Sequence, residues 1–271
     1  MYRRVRLQDD PKAKTFLNCL RLATGACRSL VHELLMGMSV SVPTAAKILA
    51  LCQGLTLLTL CFSYYHIPVS SANPLLESFN GLNSLKSLSL GLTAVQENSL
   101  VHLPEFALFH KVSHLHLSYS GAAWRTIPLG FTELENLTHL SLSWSTSRTC
   151  SAALQEFLDK GSTQVVILWA SNDILLSHIR WVLNNWYLVD RRLVLLNKGL
   201  YSSYLEDGGF WVYAERIVKW RANQKSKEIA HLLTVSMLIW TWVDFNLVNP
   251  SHLELPSLYN LWVQSGGSLT D

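Results

Sequence analysis

Aliphatic residues along this chain fall into a short phrase that recurs. It reads Leu55-x-x-Leu58-x-Leu60-x-x-Ser63, then Leu85-x-x-Leu88-x-Leu90-x-x-Thr93, then Val112-x-x-Leu115-x-Leu117-x-x-Ser120, and finally Leu137-x-x-Leu140-x-Leu142-x-x-Ser145. The copies lie 30, 27 and 25 residues apart. Alternation at period two marks a half-buried strand, whose leucines face one way and whose intervening residues face the other. Weaker copies extend the register through Val5-x-Leu7, Leu34-x-Met36, Val166-x-Leu168 and Val194-x-Leu196. Strands are therefore predicted to start at 5, 34, 58, 88, 115, 140, 166 and 194. One such unit cannot bury its apolar face alone, so a recurrence of this length predicts units stacked on their neighbours.

Between the strands the hydrophobic period becomes helical. Residues 11–22 carry Phe16, Leu17 and Leu20, with Pro11 suited to a first turn. Residues 43–51 carry Ala46, Ile48, Leu49 and Leu51, with Ser41 or Thr44 as the cap. Residues 151–158 present Leu154, Phe157 and Leu158 before Lys160-Gly161, and residues 173–186 hold the longest stripe. Pro68, Pro74 and Pro128 predict irregular loops after the strands at 58 and 115. Residues 206–222 read as an amphipathic closing helix, with Phe210, Trp211, Ala214, Ile217 and Val218 opposite Glu215, Lys219 and Arg221.

The expected fold is thus α/β, an irregular solenoid of parallel strands with returning helices and loops over residues 1–222. Residues 223–271 form a divergent tail. Within it, 229–248 is apolar but interrupted by His231, Asp244 and Asn246. A carboxylate there is costly in lipid, which favours a weakly ordered cap over a membrane span.

Composition narrows the function classes. The chain has 271 residues, 49% hydrophobic and 15% charged, enough for a sizeable core. A formal charge of +3 gives no electrostatic case for a nucleic-acid partner. Five cysteines, widely spread and without a C-x-x-C pair, fit reduced, mostly buried thiols in an intracellular protein, cytoplasmic or nuclear. Residues 1–10 lack the apolar run of a secretory signal, and the Asn136-Leu137-Thr138 sequon lies within a strand.

The phrases at 85–93, 112–120 and 137–145 resemble the leucine-rich-repeat family, in its F-box-associated and ribonuclease-inhibitor-like branches. The runs Ala45-Ala46-Lys47-Ile48-Leu49-Ala50-Leu51-Cys52 and Phe210-Trp211-Val212-Tyr213-Ala214-Glu215 look like uncharacterised repeat proteins of mushroom-forming fungi. The resemblance spans roughly residues 1–222 and implies a binding scaffold with no catalytic residues. Ser or Thr stands where the family's repeat asparagine belongs, and no F-box-like segment precedes the first repeat.

In this register the residues beside the strand leucines form an exposed inner face. Its predicted partner-binding set is Arg4, Arg6, Thr59, Ser87, Ser89, His114, His116, His139 and Ser141, with Cys61, Val165 and Ile167 at equivalent positions. His114 and His139 should lie about 5 Å apart on neighbouring strands, and His116 about 7 Å along from His114. Three imidazoles so placed could share zinc or copper, although no carboxylate or thiol beside them completes a ligand set. The expected reading is a solvated polar patch, without metal or cofactor. Tyr119, Trp144 and Trp169 are expected in the core, and the Asp190-Arg191-Arg192 cluster in a solvated turn. No G-x-S-x-G, H-E-x-x-H or phosphate-loop motif occurs. The expected function is non-enzymatic binding of a protein. The alternatives are a metal-binding or enzymatic role for the histidines, and a truncated paralogue without function.

Overall fold

The computed structural model describes residues 4–61, 74–91, 103–105, 107–118, 130–143, 148–160, 162–170, 190–197 and 209–223. The chain divides into two compact units, Met1–Ser162 and Thr163–Asp271. Each contains strands joined in parallel, so the protein is α/β with parallel pairing throughout the described ladders.

The first unit holds β1 (Arg4–Asp9), β2 (Glu33–Ser39), β3 (Leu57–Leu60), β4 (Ser87–Gly91), β5 (His114–Ser118) and β6 (His139–Ser143). They lie side by side in chain order. Val5, Leu34, Leu58, Leu88, Leu115 and Leu140 are successive register partners, and Leu7, Met36, Leu60, Leu90, Leu117 and Leu142 form the next row. Both rows are buried. At roughly 1.5–3 kcal/mol for each aliphatic side chain taken from water, they are the main drive to stack. The phrase's leading residues, Leu55, Leu85, Val112 and Leu137, add a further buried row at the strand entrances.

A repeated backbone fork fixes this register. The carbonyl ahead of one strand accepts two successive N–H groups from the entrance of the next. His32 O takes Thr56 and Leu57 at 2.8 and 3.1 Å, and Thr56 O takes Lys86 and Ser87 at 2.9 and 3.0 Å. Lys86 O takes Ser113 and His114 at 2.9 and 3.0 Å, and Ser113 O takes Thr138 and His139 at 3.1 and 3.0 Å. A slip by one residue would break every fork and turn the leucines out of the core.

The returning segments follow local sequence. α1 (Asp10–Leu22) starts behind Asp9, whose carboxylate accepts the Lys12 N–H at 2.9 Å, and it buries Ala13, Leu17 and Leu20. α2 (Gly25–Ser29) is a single short turn, and α3 (Val42–Leu51) buries Ile48 and Leu49. Ser41 stands at the N-cap of α3, but its side chain caps nothing there; N–H and hydroxyl both donate to Asp10 Oδ1, at 3.0 and 2.7 Å. The sequence misses this tie because Asp10 is 31 residues away. Pro74 opens a short helix, α4 (Pro74–Phe79), where a loop was expected. Proline's fixed φ and missing N–H suit a first helical turn. The later returns tighten to 3₁₀ turns at Leu103–Glu105 and Phe131–Glu133, the second entered through Gly130 at φ 61°. α5 (Arg148–Asp159) then brings Phe157 edge-on to Phe131, at 6.0 Å between ring centroids.

The second unit contains β7 (Val165–Ala170), β8 (Leu193–Asn197) and α6 (Gly209–Asn223). Its register differs from expectation by one residue, because Ile167 pairs with Val194 and Trp169 with Leu196. The run Val165-Val166-Ile167-Leu168-Trp169 is apolar on both faces and carries no phase. Val165 and Ile167, expected on the open face, instead pack with Trp169, Val194, Leu196, Phe210, Trp211, Ala214 and Ile217. Arg221, expected on the solvated side of α6, is 4% exposed and donates to Leu193 O at 2.5 Å and Arg191 O at 3.3 Å. Arg192 clamps Asp190 through both carboxylate oxygens, at 2.9 and 2.6 Å, and so fixes the turn into β8. The helix expected at 173–186, Tyr119, Trp144 and the 223–271 tail, apart from the last residue of α6, lie outside the described residues.

Candidate functional site

Opposite the leucine rows, the first unit presents two rows of mixed polarity. Register places Arg4, Glu33, Leu57, Ser87, His114 and His139 in one, and Arg6, Leu35, Thr59, Ser89, His116 and Ser141 in the other. All nine sequence-predicted residues therefore share one face. Glu33, Leu35 and Leu57 complete it. Carrying the register through β2 and the front of β3 would have found them.

The face is graded rather than uniformly open. Arg4 and Arg6 are exposed, and Arg4 forms an ion pair with Glu33 across the β1–β2 boundary. Ser87, Ser89 and His114 are half-buried. Thr59, His116, His139 and Ser141 are buried, contrary to the open surface expected of them. Part of the reason is lateral: neighbouring parallel strands stand about 4.8 Å apart, so short side chains sink between larger ones and flat rings cover each other.

The histidines separate into two arrangements. His114 and His139 stack, with ring centroids 3.9 Å apart and planes 11° from parallel. Each Nδ1 meets the hydroxyl just before it in sequence, Ser113 Oγ at 3.0 Å and Thr138 Oγ1 at 2.8 Å. Those hydroxyls also reach the preceding fork carbonyls, Lys86 O and Ser113 O, each at 3.2 Å. His116 is held differently, its Nδ1 2.7 Å from Ser141 Oγ in the adjoining row. The structure thus brings two of the three imidazoles together and withdraws the third.

Electrostatics keep all three rings neutral. Burial pushes the His116 pKa down to about 3. His139 falls to about 3 through burial and then repulsion from His114, and His114 is lowered by burial alone. The Ser141–His116 contact has the residue types of a nucleophile and its base, but His116 and Ser141 are 1% and 0% exposed. A base held so low and shielded from solvent is poorly matched to activating a hydroxyl near neutral pH. Elsewhere, Cys19 is exposed, Cys61 half-buried and Cys52 buried, all as free thiols. Burial raises the Cys52 thiol to about 12, which makes it inert. No helix among the described residues is long and apolar enough to cross a membrane.

No family model, curated protein or solved structure matches the chain.

Proposed function

We propose that the first unit is a leucine-rich-repeat-type solenoid whose polar strand face binds a protein partner without catalysing a reaction. The recurring phrase and the chain-order parallel ladder support the repeat reading. The observation that carries the binding reading is the gradient across that face. Its β1–β2 end offers exposed guanidinium groups beside a carboxylate and the half-buried Leu35, a mixture typical of a recognition rim. Ser87, Ser89 and His114 extend it with small hydrogen-bonding groups. Thr59, His116, His139 and Ser141 then act as the floor beneath that surface rather than as contacts. Free Cys19, Cys52 and Cys61 accord with a reducing, intracellular setting.

The test is competitive affinity capture with three chains: wild type, an Arg6→Glu/Ser89→Tyr face variant, and a Lys12→Glu variant on exposed α1. A specific partner should be retained by wild type and Lys12→Glu, and lost at least tenfold by the face variant. Equal recovery by all three would refute recognition through this face.

A further inference from the structure

The stacked histidines carry an inference that is independent of partner recognition. We propose that His114 and His139 form the nucleus of a site for a borderline divalent transition metal, of the zinc, copper or nickel class, bound through Nε2. Imidazole nitrogen is the preferred protein donor for these ions. A ring nitrogen of one histidine lies within 4.8 Å of a ring nitrogen of the other, and both rings ride on strands fixed by the carbonyl forks.

The surroundings of each ring match what a ligating histidine requires behind it. Metal-bound histidine normally donates its second ring N–H to an oxygen, which sets the tautomer. Here Ser113 and Thr138 hydroxyls occupy that place for the two rings, at 3.0 and 2.8 Å. Each hydroxyl can accept the Nδ1 proton while donating to a fork carbonyl, Lys86 O or Ser113 O. The metal-competent tautomer, with its lone pair on Nε2, therefore leaves each Nδ1 its hydroxyl partner. This pairing with the hydroxyl of the preceding residue recurs at equivalent positions of two repeats, whereas the His116 Nδ1 meets a hydroxyl of the neighbouring strand, Ser141 Oγ.

The two arrangements differ in one respect. Rings 11° from parallel hold their lone pairs side by side rather than convergent. Metal capture must turn at least one imidazole out of the stack, and His114 is the more exposed of the two. Water or further protein donors complete the coordination.

The experiment adds zinc chloride alone to the metal-stripped full chain, labelled with ¹⁵N-histidine. Calorimetry gives stoichiometry, and imidazole ¹⁵N spectra identify the nitrogens that respond. One equivalent should bind, moving Nε2 of His114 and His139 while His32 and His110 stay unchanged. His114→Asn and His139→Asn should each weaken uptake at least tenfold, and His110→Asn should leave it intact. The spectra on the unaltered chain decide the matter even where a variant folds poorly. No saturable uptake, or uptake that moves other histidines and spares these two, overturns the proposal.

Discussion

Lowering the pH should unlatch the β5–β6 rungs through His116. The ring is 1% exposed, hydrogen-bonded to Ser141 and held down to about 3, against 6.5 for the unfolded chain. Between those values the unfolded state binds a proton that the native state refuses, so unfolding is favoured as pH falls. The stabilisation is therefore complete above 6.5 and is lost progressively below it, by about 1.4 kcal/mol per pH unit. From pH 7.5 to 5.0 one such group costs about 2 kcal/mol, a large share of a typical stability of 5–15 kcal/mol. The carboxylates Asp10 and Asp190 do not confuse this window. Their pKa values are lowered from 3.8 despite burial, by Lys14 and Ser41 for Asp10 and by Arg192 for Asp190, so they act only in stronger acid.

Urea unfolding followed by far-ultraviolet circular dichroism at pH 7.5, 6.0 and 5.0 measures the slope. His114 and His139 add to it, so the diagnostic is a difference. His116→Asn should reduce the slope by close to one proton between pH 6 and 5, whatever it does to stability at pH 7.5. An unchanged slope would show that His116 titrates normally and is not buried as described.

Other substitutions probe the frame. A Cβ on Gly54 would fall well inside van der Waals contact with Ser29 O, so Gly54→Ala should lower stability by about 1–3 kcal/mol in urea titration. Arg221→Met should cost about 1–3 kcal/mol by leaving Leu193 O and Arg191 O without their buried cation; thermal unfolding at neutral pH measures it. Asp10→Ala should cost a similar amount by stranding the Ser41 N–H and taking one partner from its hydroxyl, which keeps Thr44 Oγ1. Its absence should also make the loss of stability below pH 3.8 shallower than in the wild type by the share of one carboxyl, because Asp10 is charged only when folded in that range.

The sequence disclosed the strands because leucines at period two, repeated with few insertions, admit one phase. All eight predicted starts fall in strands, and six share the expected register. Legibility failed where the pattern was degenerate: β7 is apolar on both faces, and its pairing with β8 shifted by one residue. Pro74 was ambiguous for another reason, since proline both ends helices and begins them. On the candidate face, lateral neighbours followed directly from register, which is why His114 and His139 were placed together. Depth did not follow. Alternation tells which way a side chain points, but Thr59, His116, His139 and Ser141 owe their burial to packing that period two does not encode. Arg221 was misread similarly, because a cation on a helix is normally solvated unless backbone carbonyls receive it.

The account rests on parallel rungs stacked in chain order. The most direct measurement is a ¹⁵N-resolved nuclear Overhauser spectrum of perdeuterated protein, read at the backbone amides of 88–90, 115–117 and 140–142. Cross-strand contacts should link residues 88–90 with 115–117, and 115–117 with 140–142, in the slanted parallel pattern, with none between 88–90 and 140–142. Antiparallel contacts, or direct contacts from 88–90 to 140–142, would contradict the ladder and the binding face built on it.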